Sequence, residues 1–343
     1  MSQLKCALIG AGRIANDYAV AIAQSDEIQL AAVVDSQLEL ANAVAEKYDC
    51  KGFRSVQSLL NSSLNLDFAL ICTPPVTHHS LTIQCLNAGL HVLCEKPFAI
   101  HSDDAREMIE VASKNDLLLS MGSKFRYVPE ISQARQIVQE GVLGDVIFFE
   151  NVFASRVDMS QRWNSDPRIS GGGVLMDNGT HSLDITRYVF GPLTEVQVLE
   201  GVRAQNLAVE DTVQINVRSS NRALGRIDLS WSLNKGQDSY LSVYGSEGTL
   251  IVGWKGSRFQ LHGQTEWKTF GEGYSKIAAF SAQLRNFVRA IQGEEPLLID
   301  AHDGLASVLA VESAYESLRQ FHWTTIPALT VDTTRVRVTV GDS

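Results

Sequence analysis

The first third of the chain alternates short apolar runs with segments of helical spacing. Leu4–Ile9, Ile28–Val34, Phe68–Cys72, His91–Cys94 and Leu117–Met121 are apolar runs that read as strands. Between them, Ile14–Gln24, Leu38–Tyr48, Val76–Asn87 and Asp103–Lys114 place apolar residues at helical intervals. The runs alternate little between apolar and polar, as strands covered on both faces do. Residues 1–122 are therefore expected to form an α/β unit with a parallel sheet. Ser102 is the expected N-cap of its last helix, with Asp103 and Asp104 complementing the helix dipole.

The pattern changes after residue 122. A helix at Pro129–Gln139 precedes long segments that alternate in and out: Val146–Val157, Val196–Ala204, Thr212–Arg218, Ala223–Leu233 and Tyr240–Tyr244. "RSSNRA" and "GSEGT" read as hairpin turns, so this half predicts an antiparallel sheet with one covered face. Helices at Ala278–Ile291 and Gly304–Leu318 are expected to close this α+β domain over residues 123–343. The tail Thr330–Val340 alternates too, and suits either an edge strand or an arm that bridges subunits.

Composition narrows the class. A chain of 343 residues is long for one core, in keeping with two domains. The net charge of −10 argues against a nucleic-acid-binding surface. The five cysteines (Cys6, Cys50, Cys72, Cys85 and Cys94) include no CxxC pair, and their odd number does not suit a disulfide framework. They read as small core residues in a reducing compartment. The N-terminus lacks signal-peptide shape, and no apolar run approaches the ~20 residues that span a bilayer. The expected location is the cytoplasm, away from membranes.

Chemistry begins at the first turn. "GAGRIA" places Gly10, Gly12 and Ala15 in a GxGxxA pattern between a strand and a helix, with Arg13 and Ile14 in the opening helical turn. Glycines there allow a tight turn and close approach of a pyrophosphate to the helix N-terminus. Asp35 ends the next strand, where a carboxylate accepts from both adenosine ribose hydroxyls and repels a 2′-phosphate. No Arg or Lys follows it directly, which favours NAD over NADP. A purely structural turn, or the glycine turns of FAD and S-adenosylmethionine binders, are the alternatives. Two later strand ends open on the same crevice. Thr73, Pro74 and Pro75 are expected beside the nicotinamide ribose, and Glu95, Lys96 and Pro97 at the carboxyl edge where ligands of open sheets bind. His78 and His79 receive no role.

These motifs, in order with "GGGVLMDNGTHSLD" and "YGSEGTL", resemble the glucose–fructose oxidoreductase/inositol dehydrogenase (Gfo/Idh/MocA) family over nearly the whole chain. The resemblance implies an N-terminal Rossmann domain and a C-terminal domain with a large, mostly antiparallel, open-faced sheet. It implies NAD(P)-dependent oxidation or reduction of sugars, inositols and related polyols, and a homodimer or homotetramer built through that sheet. It places the catalytic lysine on Lys96 and the D-x-x-x-H pair on Asp177 and His181. "SKFRYVP" matches a stretch near cofactor and substrate, which makes Arg126 and Tyr127 substrate candidates.

The residues themselves agree with that chemistry. Asp177 and His181, at i and i+4, share a helix face, with Asp184 one turn on. Oxidising a secondary alcohol needs a base for the hydroxyl proton, and histidine titrates near neutrality. Lys96 would stabilise the developing alkoxide, and Asp177 would hold a neighbouring hydroxyl. Asp177 and His181 also suit a metal ion, but no third ligand lies nearby in sequence, so none is expected. Arg156, Arg162 and Arg168 precede the triple glycine, and could bind an anionic substrate such as a uronate or nucleotide sugar, or pair with Asp158 and Asp166. A non-catalytic dinucleotide sensor of the same fold is the alternative function. The triple glycine is expected to turn the backbone tightly into the cleft, close to cofactor or substrate.

Overall fold

A computed structural model describes residues 3–329; Thr330–Val340, the expected edge strand or arm, lies outside the described residues. The first unit runs β1 (Leu4–Ile9), α1 (Arg13–Ala23), β2 (Ile28–Val34), α2 (Leu38–Lys47), β3 (Lys51–Phe53), α3 (Val56–Leu60), β4 (Phe68–Ile71), α4 (His78–Asn87), β5 (His91–Glu95), α5 (Ser102–Lys114) and β6 (Leu119–Gly122). Its strands are all parallel, in the order β3-β2-β1-β4-β5-β6. That order reverses direction between β1 and β4, which opens a crevice at their carboxyl ends. The predicted Rossmann unit is present. β3 was not anticipated; three residues are too few to show any period.

Ser102 is not the cap of α5. It is the first residue of the helix, and His101 occupies the cap position without a side-chain bond. The Ser102 N–H donates instead to Glu312 Oε1 at 2.9 Å. A carboxylate from a distant helix satisfies the end that local sequence was expected to satisfy.

The second unit comprises α6 (Pro129–Gln139), β7 (Val146–Ala154), α7 (Pro167–Ser170), α8 (Thr180–Phe190), β8 (Leu193–Glu200), β9 (Thr212–Ser219), β10 (Leu224–Ser230), β11 (Ser239–Gly245), β12 (Gly248–Gly253), β13 (Ser257–Leu261), β14 (Lys268–Phe270), α9 (Lys276–Ile291), α10 (Ala301–Gln320) and β15 (Thr324–Thr325). Its strands form one sheet in the order β14-β13-β12-β11-β7-β10-β9-β8-β15. Every neighbouring pair is antiparallel except β7 with β10. The inward residues Phe149, Val196, Val198, Ile215, Val217, Ile227, Val243 and Leu250 are fully buried. Ile147, Leu224 and Tyr244 stand exposed on the other face. One covered and one open face is what the alternation predicted.

The last two long helices do more than close the second unit. Phe280, Leu284, Phe287 and Val288 of α9 join the core formed by Cys6, Leu8, Tyr18 and Leu93 of the first. Tyr18 and Phe280 rings lie 4.0 Å apart. Along α10, Leu305, Val308 and Leu309 face the first sheet's core, while Ala310, Val311 and Ala314 face the second's. Each large apolar side chain so buried contributes about 1.5–3 kcal/mol. The crevice edge of one sheet is thereby held against α8 of the other unit.

Candidate active site

Gly10 closes the turn after β1 at φ +102°, and a Cβ there would stand 2.7 Å from the Cys72 carbonyl oxygen. Only glycine fits. Gly12 caps α1, with open space where its Cβ would be. The first N–H groups of α1 are thus uncovered toward the crevice, as a pyrophosphate requires. Arg13 is exposed and Ile14 half-buried on the opening helical turn. Asp35 Oδ2 accepts from the Ala11 N–H and Oδ1 from the Gln37 N–H, both at 2.9 Å, which fixes the carboxylate beside the glycine turn. This cradle fits a dinucleotide.

The neighbouring loops are tied together. Thr73 Oγ1 accepts from Thr77 Oγ1 at 2.7 Å, and Pro74 leads into a short 3₁₀ turn. His78, given no role from sequence, is fully buried. Its ring nitrogens meet the Pro97 carbonyl at 2.7 Å and the Thr73 carbonyl at 2.8 Å. It therefore clamps the two loops that border the crevice. Glu95 lies beneath the opening, 8% exposed, and accepts from the Tyr18 hydroxyl at 2.7 Å. Burial pushes its pKa up, against the pull of Lys124 and the Tyr18 bond.

Lys96 reaches across to the second unit. Its Nζ pairs with Asp177 Oδ1 and donates to the Asp177 carbonyl at 3.1 Å, joining positions 81 residues apart. Asp177 does not lie on an ordinary helical turn, as the spacing suggested. Leu175–Gly179 is a π-helical turn that runs into α8. Such turns are rare and cluster at functional sites. His181 on α8 is 7% exposed, its ring edge-on to Phe125 at 5.0 Å. Burial first, then Lys124 and Lys96, push its pKa well below the usual value. All three causes favour the neutral imidazole.

The glycine triplet shapes this turn, and Gly172 also lines the groove beside Lys96 and Asp177. Gly171 ends α7 in the left-handed region at φ +79°. A Cβ on Gly172 would stand 1.8 Å from the Tyr315 hydroxyl, and one on Gly173 2.0 Å from the Glu210 carbonyl oxygen. Glu210 Oε1 accepts from Gly173 N–H at 2.9 Å, Leu175 N–H at 3.1 Å and the Tyr315 hydroxyl at 2.8 Å. The glycines let a buried carboxylate grip the start of the π-turn that carries Asp177. Burial pushes the Glu210 pKa up, and those three donors oppose it.

Other expected contacts fall elsewhere. Arg126 is buried against Asp184, with Nε 3.0 Å from Oδ2 and Nη2 2.5 Å from Oδ1. It also pairs with Asp303 at 3.2 Å. Asp184 is fully buried and also accepts from Ser123 Oγ at 2.6 Å. Burial pushes Asp184 up, but Arg126, Arg187 and these bonds outweigh it and hold its pKa low. The Tyr127 hydroxyl donates to Asn286 Oδ1 at 2.9 Å, in the seam with α9. Arg126 and Tyr127 tie the turn after β6 to α8, α9 and α10, and neither lines the groove beside Lys96 and Asp177. Arg156 is exposed; Arg168, also exposed, pairs with Asp166. From the same loop it is Trp163 and Asn164, not the three arginines, that border the groove of Pro75, Lys96, Pro97, Met176 and Asp177. Sequence reading also passed over Lys124, whose Nζ lies 3.4 Å from His181 Nε2. The rule that selected Lys96, a cation just past a parallel strand, applied equally to the end of β6. Among the described residues no group of three or more His, Cys, Asp or Glu could hold a metal ion, and two ammonium groups beside His181 disfavour one there.

Residues 4–123 match a family described as an oxidoreductase family with an NAD-binding Rossmann fold, and residues 131–251 match the GFO/IDH/MocA C-terminal domain. A Rhizobium meliloti rhizopine catabolism protein, MocA, is 29% identical over 93% of this chain and 96% of its own length. A D-glucoside 3-dehydrogenase of Escherichia coli is 28% identical over 92% of this chain and 95% of its own. A solved levoglucosan dehydrogenase, in complex with NADH and levoglucosan, superposes with a TM-score of 0.88 at 19% identity, over 96% of this chain and all of the other, and so shares the fold. Among the described residues no helix is long and apolar enough to cross a membrane.

Proposed function

The chain belongs to the GFO/IDH/MocA family of NAD-binding oxidoreductases, and from that premise we propose that it interconverts a secondary alcohol and a ketone on a sugar or cyclitol. The observation that carries the proposal is the pairing of Lys96, from the crevice edge, with Asp177 of the second unit, close enough to His181 for its charge to act there. When bound, the dinucleotide supplies the two-electron acceptor for the carbon that loses hydride. Asp35 holds the adenosine ribose, and the N-terminus of α1 holds the pyrophosphate. Lys96 hydrogen-bonds the reacting oxygen and stabilises its developing negative charge. Asp177 orients that ammonium and accepts from an adjacent hydroxyl. His181, neutral, takes the alcohol proton.

Trp163 and Asn164 support a neutral ring over a uronate or sugar phosphate. An indole face packs against the C–H face of a sugar, and an amide bonds its hydroxyls. The Escherichia coli relative named for action on D-glucosides points the same way. The open sheet face, with Ile147, Leu224 and Tyr244 exposed, supports self-association there.

The test is a panel of neutral sugars, cyclitols, uronates and nucleotide sugars with NAD and NADP, read by reduced cofactor and by product mass. A neutral pyranose or cyclitol with NAD is expected to turn over. Lys96→Ala and His181→Ala are each expected to lower kcat/KM by about 10²–10⁴-fold. Full activity in either variant would remove that residue from the reaction.

A further inference from the structure

Lys124 follows the last strand of the first sheet, within the "SKFRYVP" stretch from which only Arg126 and Tyr127 were singled out. Its Nζ lies 3.4 Å from His181 Nε2, 5.0 Å from the centre of the Phe125 ring and 5.6 Å from that of Phe280. Two aromatic rings, one from its own turn and one from α9, therefore flank the ammonium and limit its access to water. The charged groups around it are Glu95 at the end of β5, Lys96 just beyond, Asp177 on the π-turn and Lys276 at the start of α9. His181 in turn faces Lys124, Lys96 and the Phe125 ring. Its Nδ1 is buried with no hydrogen-bond partner, so no carboxylate or carbonyl stabilises an imidazolium from behind.

We propose that Lys124 is a positioning residue that acts through His181: its ammonium, 3.4 Å from Nε2, disfavours an imidazolium there and keeps the ring in its neutral, proton-accepting form. The catalytic part of this statement rests on the function proposed above; the Lys124–His181 coupling does not. A histidine backed by a carboxylate becomes easier to protonate. This one has ammonium neighbours and no carboxylate bonded to it, and its proton affinity falls. Lys124 itself is lowered to about 8, by burial, with Glu95 pulling the other way. Below that pH the ammonium is present and imidazolium is suppressed. Removal of a proton from an alcohol is then favoured near neutrality. The reverse reaction, which needs a proton donor, is favoured at lower pH.

The coupling is tested without substrate, by ¹⁵N NMR of the full chain with labelled histidine, assigning His181 through His181→Asn. In the wild-type protein His181 is expected to titrate well below the ordinary histidine range. Lys124→Met is expected to raise its midpoint by about one pH unit or more, and Lys124→Gln likewise should Met disturb folding. Lys124→Arg is expected to keep the wild-type titration. With a substrate from the panel, the acid limb of kcat/KM for oxidation moves upward by the same amount in Lys124→Met. A His181 midpoint unchanged in both neutral variants overturns the coupling, whatever the panel finds. A shifted midpoint without turnover on any substrate supports the coupling and counts against the proposed function.

Discussion

Replacing Arg126 separates a structural from a substrate-binding role. The guanidinium contacts both oxygens of Asp184, at distances of 2.5–3.1 Å, and also Asp303. The Arg126 side chain is 4% exposed and that of Asp184 0%. Arg126→Met leaves Asp184 charged and buried, with only Arg187 at 3.5 Å as a cationic partner. Breaking a buried pair by removing one member costs roughly 3–5 kcal/mol. We expect urea unfolding to show a loss in that range. The double variant Arg126→Met/Asp184→Asn should recover at least half of it, because the uncompensated charge is gone. Acid stability supplies the sign. The Asp184 pKa is lowered on folding, so its contribution is complete above the unfolded carboxylate value of about 3.9 and fades as pH falls toward the lower folded value. At 20 °C, where enough variant remains folded, NADH affinity and substrate KM should stay within about threefold of wild type. A variant of near-normal stability with a tenfold higher KM would refute the assignment and return Arg126 to the substrate.

Gly173→Ala forces a methyl toward the Glu210 carbonyl. It should cost about 1–3 kcal/mol in thermal unfolding and, by shifting Asp177, lower kcat about 10²-fold; unaltered kcat would uncouple the glycine from the π-turn. Asp35→Ser removes the acceptor of the Ala11 and Gln37 N–H groups. By isothermal titration it should weaken NAD binding and narrow the preference over NADP; an unchanged NAD/NADP ratio would displace Asp35 from the ribose. Thiol titration at pH 8 should find the native protein nearly inert. Burial pushes Cys6, Cys72, Cys85 and Cys94 far up, and half-buried Cys50 up to about 11, so Cys50 should react first and slowly, and all five only after denaturation. Rapid reaction of two or more thiols in the folded protein would contradict that burial.

Both sheet layers, and the edge of the first where ligands of open sheets bind, were legible in the order of apolar and polar residues. Parallel strands buried on both faces must be apolar throughout, and a one-faced sheet must alternate, so Ile28–Val34 and Thr212–Ser219 announce their surroundings. The positions of Gly10, Asp35 and Lys96 at the carboxyl ends of strands were legible because local pattern marks where each strand stops. Which polar residues face one another was set by the fold. Arg126 and Lys124 are two positions apart on one short turn, yet one points into a buried ion pair with Asp184 and the other to His181. Nothing in the spacing separates them, because a short 3₁₀ turn sends neighbouring side chains in different directions. The cap of α5 by Glu312, the clamp made by His78, and Glu210 beneath the glycine triplet are likewise long-range pairings. Periodicity reports what each segment buries; the partner of a buried polar group is chosen by the fold.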